Sequence, residues 1–128
     1  MIGRWHCLVG DCAEPLTLAE FYAELLGFEL LGAGPDWAAI GAGSRLPAMS
    51  FHQVEPYRPP TWPAGPVPTQ EHVDVLVDDL DEAEPQVLAL GATLLEGSDK
   101  PIGFRVYADP AGHPFCLVTA RSVPWSVR

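Results

Sequence analysis

The sequence predicts a single α+β domain made of two similar βαβββ modules, and three observations lead to this prediction. The chain has 128 residues, the length of one ordinary domain. Each half opens with a short β-like run, continues with a helical apolar stripe and ends in three strand-like segments. Landmarks also recur at a constant offset, since the step from Gly27 to Gly91 equals the step from Phe51 to Phe115. Two copies are too few for a solenoid, so a pseudo-twofold domain spanning 1–128 is expected.

The first module spans about residues 4–54 and begins with a β-like run at 5–9. Pro15 suits the first turn of the helix that follows, and Gly27 suits its C-terminal cap. The apolar residues between them fall on one face at helical spacing: Leu18, Phe21, Tyr22, Leu25 and Leu26. Strand-like segments at 28–31, 37–40 and 49–54 complete the module.

The second module spans about residues 70–120, and its first strand is predicted at 72–77. A helix is expected near 80–90, because Asp79 and Glu82 have the spacing of a capping box and Gly91 follows as a terminator. Pro85 removes a backbone donor inside that helix, which predicts a kink or a late start. The strand-like segments that follow lie at 92–95, 104–107 and 115–119.

A proline-rich linker at 55–69 joins the modules and carries six prolines. Such a segment cannot pair as a central strand, so we expect a stiff, extended connection. Tyr57 and Trp62 lie on it, and they either pin it to the protein surface or line a ligand site. The tail at 121–128 carries Trp125, which is expected to pack, with a second subunit as one candidate partner.

Charge and composition exclude several function classes. Seven Lys and Arg face seventeen Asp and Glu, for a net charge of −10, which disfavours nucleic acid and anionic membranes as partners. No apolar run approaches the ~20 residues of a membrane-spanning helix, and the N-terminus lacks the pattern of a secretory signal. The odd set Cys7, Cys12 and Cys116 favours reduced thiols in a cytoplasm. One lysine, six arginines and no asparagine favour a GC-rich, bacterial genome.

Several motifs together resemble the vicinal oxygen chelate superfamily, the group of glyoxalases, bleomycin-resistance proteins and extradiol dioxygenases. Four segments carry this resemblance. They are the first helix from Glu14-Pro15 to Phe28, the start of the second module from His72 to Leu80, the turn and strand at 109–117, and the linker residues 60–63. The resemblance covers nearly the whole chain. It implies that the two modules form a U-shaped mixed sheet around a central cavity. Because this fold hosts many unrelated activities, it specifies the chemistry only weakly.

The resemblance also implies four positions at which family metal enzymes hold a metal. Carried over by motif, they are Cys7, His52, His72 and Cys116, with His6 in place of Cys7 if the first strand shifts by one residue. Cysteines stand at two positions where family metal enzymes use mostly His and Glu. We therefore expect no bound cofactor or metal, although a divalent ion such as Zn, Fe, Ni or Mn remains an alternative because zinc tolerates a Cys2His2 set.

Strand alternation indicates which side chains face the expected cavity. In the second module these are His72, Asp74, Leu76, Cys116 and Val118. Asp74 has three open roles: pairing with Arg105, binding a cationic ligand or reaching solvent. His113 lies in a turn, where a role in backbone geometry is expected. The candidate ligand-binding residues are Trp5, His52, Tyr57, Trp62, His72, Asp74 and Val118.

These observations predict a cytoplasmic, homodimeric glyoxalase-like protein that binds a small organic ligand. A homodimer is expected because open sheet edges and apolar surface favour a second copy as cover. The alternative is a metal-dependent lyase, isomerase or dioxygenase with a non-standard ligand set. A third possibility is an interaction subunit without a ligand. The substrate and reaction, if any, stay open.

Overall fold

A computed structural model describes residues 1–43, 47–100 and 103–121 of the chain. Its strands and helices, in chain order, are β1 (Leu8–Cys12), α1 (Pro15–Leu26), β2 (Glu29–Ala33), β3 (Trp37–Gly41), β4 (Met49–Gln53), β5 (Val73–Leu76), α2 (Leu80–Ala89), β6 (Thr93–Glu96), β7 (Phe104–Ala108) and β8 (Pro114–Val118). The chain divides into two compact units, Met1–Arg58 and Pro59–Arg128. The expectation for Trp125 lies outside the described residues. In the described part of the chain, no helix is long and apolar enough to cross a bilayer.

The first unit is a four-stranded mixed sheet with α1 packed against it. The strand order is β1-β4-β3-β2, with β1 parallel to β4 and the other neighbours antiparallel. Helix α1 begins at Pro15 and ends at Gly27, whose φ of 67° places it in the left-handed region that glycine tolerates. Its buried apolar face meets the sheet where Tyr22 stacks on Phe51, with ring centroids 5.7 Å apart.

The first strand lies later in the chain than the sequence predicts. The apolar run at 5–9 indicated a strand there, but β1 covers Leu8–Cys12 and Trp5 is 78% exposed ahead of it. The ladder with β4 explains the difference, because Gly10 pairs with Phe51 and leaves room for its ring. Cys12 is fully buried at the end of the strand. Gly10 and Asp11 made the end of this strand hard to predict from sequence, since neither residue type favours β structure.

The second unit repeats the same architecture. Its strand order is β5-β8-β7-β6, with β5 parallel to β8 and the other neighbours antiparallel. Helix α2 begins at Leu80, directly after its N-cap Asp79, because the Asp79 carboxylate accepts a hydrogen bond from the Glu82 N–H at 3.0 Å. The helix then runs through Pro85 to Ala89, so a late start is wrong.

The prediction of two βαβββ modules is confirmed. Both units share strand order and strand directions, and their second strands even carry the same irregularity. The register shifts between Leu30 and Gly32 in the first unit and between Leu94 and Glu96 in the second. The step between these two irregularities equals the step from Phe51 to Phe115, which is the offset found in the sequence.

A buried arginine ties α2 to its sheet. Arg105 on β7 is 1% exposed and donates to the Lys100 carbonyl from Nε at 3.0 Å and from Nη2 at 2.8 Å. It also donates to the Leu80 carbonyl and forms an ion pair with Asp81. Glu84 lies 3.5 Å away and accepts the Tyr107 hydroxyl at 2.8 Å. These polar contacts fix one end of α2 and the chain around Lys100 to the helix side of the sheet.

Candidate functional site

The sheet of the second unit presents one face to α2 and the other away from it. Paired strand residues project to the same face, so the pairs Asp74–Cys116 and Cys116–Val106 share a face. Arg105 and Leu117, which alternate with them, project towards α2. We call the face that carries Asp74 and Cys116 the open face of the second sheet. Its strands also contribute Leu76, Val118 and Phe104.

Three groups with metal-ligand chemistry meet on this open face. The His72 Nε2 lies 3.3 Å from the Asp74 Oδ1, and both side chains are about half exposed. Each of His72, Asp74 and Cys116 offers one potential ligand atom: a ring nitrogen, a carboxylate oxygen and the Sγ. These three atoms lie within 4.8 Å of one another. We call these three residues the His-Asp-Cys cluster. Among the described residues it is the one such group of three.

Cys116 is the buried member of the cluster, at 7% exposure. Burial, the neighbouring Asp74 carboxylate and the charge of Glu96 raise the pKa of its thiol to about 11. Glu96 reaches this face because it pairs with Val106, which in turn pairs with Cys116. Near neutral pH the group is therefore a neutral thiol rather than a nucleophilic thiolate.

The raised pKa of Cys116 predicts a specific change in thiol reactivity. Because the Asp74 carboxylate disfavours the thiolate, Asp74→Asn should lower the pKa of Cys116 and speed its modification by iodoacetamide in mildly alkaline buffer. Peptide-resolved mass spectrometry of chelator-treated protein measures this rate. Glu82→Gln is the control, because it removes one negative charge from α2 on the other side of the same sheet, and it should leave the rate at Cys116 unchanged. An unchanged rate in Asp74→Asn would contradict this electrostatic account.

The proline-rich segment holds Trp62 against the open face. Thr61 closes a short loop, with its Oγ1 donating to the Val67 carbonyl at 2.9 Å and accepting from the Val67 N–H at 3.2 Å. Gly65 fits this loop because a Cβ there would lie 2.6 Å from the Thr61 Oγ1. The half-buried indole packs on the apolar cluster Val106, Cys116 and Val118. Of the linker aromatics, Trp62 thus lies beside the His-Asp-Cys cluster, whereas Tyr57 belongs to the first unit.

Asp74 and Arg105 do not form a pair. Arg105 is bound on the helix side of the sheet, whereas Asp74 is on the open face and contacts His72. Alternation along β7 explains this, since Arg105 and Val106 must project to opposite faces. Of the three roles open to Asp74, pairing with Arg105 is therefore wrong.

The first unit carries the remaining candidates, and its ladder corrects one alignment. Gly10 pairs with Phe51 and Val73 pairs with Phe115. The offset between the first strands is therefore one residue shorter than the offset between the two phenylalanines. The counterpart of His72 is Val9, and neither Cys7 nor His6 occupies that position.

The first-unit candidates Cys7 and His52 lie on or next to the strands β1 and β4. Cys7 lies ahead of β1 with its Sγ 3.5 Å from the Ser50 Oγ. His52 is exposed on β4, where it pairs with Asp11 and Trp37. Ligand roles for His52, Trp5 and Tyr57 stay predictions.

His113 helps to hold the turn at 109–114 together, as expected. The buried Asp109 carboxylate accepts from the backbone N–H groups of Ala111 at 2.9 Å and His113 at 3.0 Å. Its second oxygen lies 3.2 Å from the His113 Nδ1. Gly112, with a φ of 89°, allows close approach to Pro59. Asp109 thus organises the whole turn, and His113 helps to close it.

Sequence reasoning missed two features of the cluster. The His72–Asp74 contact follows from an i, i+2 spacing on one strand, a signal that was present in the sequence. The approach of Glu96 depends on the irregular register between Leu94 and Glu96. No local sequence pattern predicts that irregularity, although the first module has its counterpart between Leu30 and Gly32.

Comparison with known proteins gives one family and several related structures. The profile of the glyoxalase-like domain family matches residues 7–118. Curated proteins give no match. A glyoxalase/bleomycin resistance protein/dioxygenase family enzyme from Burkholderia phytofirmans superposes with a TM-score of 0.68 at 17% identity, covering 89% of this chain and 96% of its own.

Two further structures have the same fold. A fosfomycin resistance protein from Mesorhizobium loti gives a TM-score of 0.64 at 13% identity, with 92% of this chain and 91% of its own covered. An integron cassette protein from Vibrio cholerae gives a TM-score of 0.58 at 24% identity, with 93% of this chain and 96% of its own covered. At these identities the likeness shows the fold alone.

Proposed function

The chain belongs to the glyoxalase-like domain family, and from this premise we propose that it binds a small organic ligand on the open face of its second sheet. Family membership alone does not choose an activity, because the fold hosts many. The observation that carries the proposal is the packing of Trp62 on Val106, Cys116 and Val118 beside the His72–Asp74 pair. An apolar wall with a few convergent polar groups is the usual composition of a small-molecule site.

The exposed surface of this face is suited to a partly apolar ligand. Leu76 and Phe104 are 50% and 43% exposed, which is unusual for large apolar side chains on a sheet. His72 and Asp74 supply polar atoms at the same face, where they can orient the bound molecule. Trp62 offers a flat ring on a loop closed by hydrogen bonds, so little entropy is lost when a ligand stacks on it.

Substitutions should separate this face from the turn at 109–114. For a ligand found by thermal-shift screening, Trp62→Ala and His72→Ala should each raise the Kd at least about five-fold, or about 1 kcal/mol. His113→Ala should change stability and leave the Kd almost unchanged, because His113 contacts Asp109 within the turn. Calorimetric titration measures each Kd. Loss of binding only in His113→Ala would refute the proposed site.

A metal-dependent lyase, isomerase or dioxygenase is the second candidate, and the His-Asp-Cys cluster favours it. The donor set of imidazole nitrogen, carboxylate oxygen and thiol sulfur fits zinc and similar divalent ions. His72, Asp74 and Cys116 would hold the ion after Cys116 loses its proton. When bound, such an ion supplies Lewis-acid chemistry to an oxygen of the substrate.

Metal analysis decides between the two candidates. The first proposal expects the purified protein to hold well under one equivalent of transition metal, because the buried Cys116 thiol resists ionisation. One equivalent of zinc or iron that disappears in both His72→Ala and Cys116→Ser would favour the metal enzyme. Retention of the metal in both variants would place it elsewhere in the protein.

We also propose that the protein is a cytoplasmic homodimer. Strand β2 lies at one edge of the first sheet and carries two exposed leucines, Leu30 at 49% and Leu31 at 39%. A second copy would cover such an edge. No disulfide joins the three cysteines, all of which lie in the described part of the chain, and this suits a reducing compartment. Light scattering at tens of micromolar protein should give the mass of a dimer, and a monomer would contradict this proposal.

A further inference from the structure

Four side chains surround the buried Cys116 thiol, and two of them carry negative charge. Asp74 and Glu96 both act on Cys116 through their charges. A ring nitrogen of His72 lies within 4.8 Å of the Cys116 Sγ, and Trp62 packs on the cluster of Val106, Cys116 and Val118. The polar groups of the open face and its aromatic ring therefore converge on one small region.

No basic side chain from the sheet balances these two carboxylates. The four strands of the second sheet contain a single Lys or Arg, which is Arg105. Arg105 projects to the other side and is bound to Asp81, Glu84 and backbone carbonyls near α2. His72, which lies just ahead of β5, contacts Asp74 with its Nε2 3.3 Å from the Asp74 Oδ1. The Lys100 ammonium above Phe104 offsets only one of the two carboxylates, so the open face keeps an excess of negative charge in a partly desolvated setting.

The same face already holds one cation against an aromatic ring. The Lys100 Nζ lies 5.3 Å from the centroid of the Phe104 ring. Phe104 pairs with Val118, so this ring belongs to the open face. An ammonium group above an aromatic ring is stabilised by the ring quadrupole, and Trp is the best ring for this interaction. Trp62 lies beside Val118, and among the described residues no lysine or arginine stands above its ring.

We propose that the ligand of the open face is a small organic cation, an ammonium or quaternary ammonium group attached to an apolar body. Asp74 and Glu96 would attract its charge, and Trp62, Leu76 and Phe104 would contact its apolar part. This inference rests on the proposed small-molecule site and adds the chemical class of the ligand. It does not require a metal.

The position of the two carboxylates selects this face for a cation. Asp74 pairs with Cys116 and Glu96 pairs with Val106, so both side chains project from the open face. The net charge of −10 would also attract cations over longer distances, but it does not select this face.

The test compares a cation with its neutral carbon isostere. The probes are phenyltrimethylammonium and tert-butylbenzene, titrated into the full-length protein with a chelator present. The shift of the Trp62 indole N–H resonance, assigned with Trp62→Phe, reports binding. The cation should bind at least about tenfold more tightly than the isostere, and its affinity should fall with salt.

Charge-neutralising variants locate the effect. Asp74→Asn and Glu96→Gln should each weaken the cation about five-fold and leave the isostere unchanged. Glu82→Gln is the matched control, since it removes one negative charge from α2 on the other side of the sheet. It should leave both affinities unchanged. Thermal unfolding of each variant confirms that it is folded.

The outcomes separate the two levels of the proposal. Equal binding of both probes at Trp62, or cation binding insensitive to Asp74→Asn and Glu96→Gln, would overturn the cationic class and leave the small-molecule site intact. The same holds if only neutral compounds from a screen shift the Trp62 resonance. If no compound of any charge shifts it, both the inference and the proposed function fail.

Discussion

Arg105→Ala should lower the free energy of unfolding by about 3 kcal/mol, because it removes the buried partner of an ionic network. The substitution leaves a cavity under α2 and deprives the Leu80 and Lys100 carbonyls of their donors. Tyr107 and Glu84 would remain bonded to each other at this site. Burial alone would lower the pKa of Arg105, but the hydrogen bond to Asp81 and the charge of Glu84 raise it overall. The guanidinium therefore stays charged throughout the accessible pH range.

Urea unfolding followed by circular dichroism measures the effect of Arg105→Ala. Arg121→Ala is the matched control, because Arg121 is exposed at the end of the described chain. It should change the free energy of unfolding by less than about 0.5 kcal/mol. Arg105→Lys should recover only part of the loss, since an ammonium cannot reproduce the several directed bonds of a guanidinium. A cost below about 1 kcal/mol for Arg105→Ala would mean that the network contributes little.

Asp109→Ala should cost about 2 kcal/mol, because its carboxylate is buried and organises the turn at 109–114. The substitution removes the carboxylate that accepts from the backbone N–H groups of Ala111 and His113 and that contacts the His113 ring. Asp109→Asn keeps one acceptor oxygen and should cost less than Asp109→Ala. His113→Ala should cost least, since it removes one contact and keeps both backbone bonds. Thermal and urea unfolding test this order, and equal costs for all three variants would contradict it.

The sequence contained enough information to predict the repeated module. One constant offset relates Gly27 to Gly91 and Phe51 to Phe115, and the structure places both phenylalanines at matching core positions. Helix bounds were predictable because caps and periodic apolar faces are local signals. The Asp79 cap is one example, and it fixes the start of α2 despite Pro85.

The first strand was not predictable in the same way. Helices α1 and α2 begin at Pro15 and Leu80, an offset one residue longer than that between the two phenylalanines. The strands that precede these helices are related by an offset one residue shorter. The turn between strand and helix therefore differs by two residues in the two modules. Such turns change length without disturbing the core, so an offset taken near a helix does not transfer to the neighbouring strand.

The candidate site was predictable in part. Alternation placed Asp74, Cys116 and Val118 on one face, which the strand register reproduces. The pairing of His72 with Asp74 and the approach of Glu96 depend on three-dimensional contacts between neighbouring strands. Trp62 could not be placed from its sequence because its position depends on the loop closed by Thr61 and Val67.

The central claim is that the open face of the second sheet binds a small organic ligand, and a resonance-resolved NMR titration tests it most directly. The isotope-labelled protein is titrated with compounds selected by thermal shift. Our account predicts that the largest chemical-shift changes fall on the Trp62 indole and on His72, Asp74, Val106 and Val118. Changes confined to the turn at 109–114 or to the first unit, or no saturable change with any compound, would contradict it.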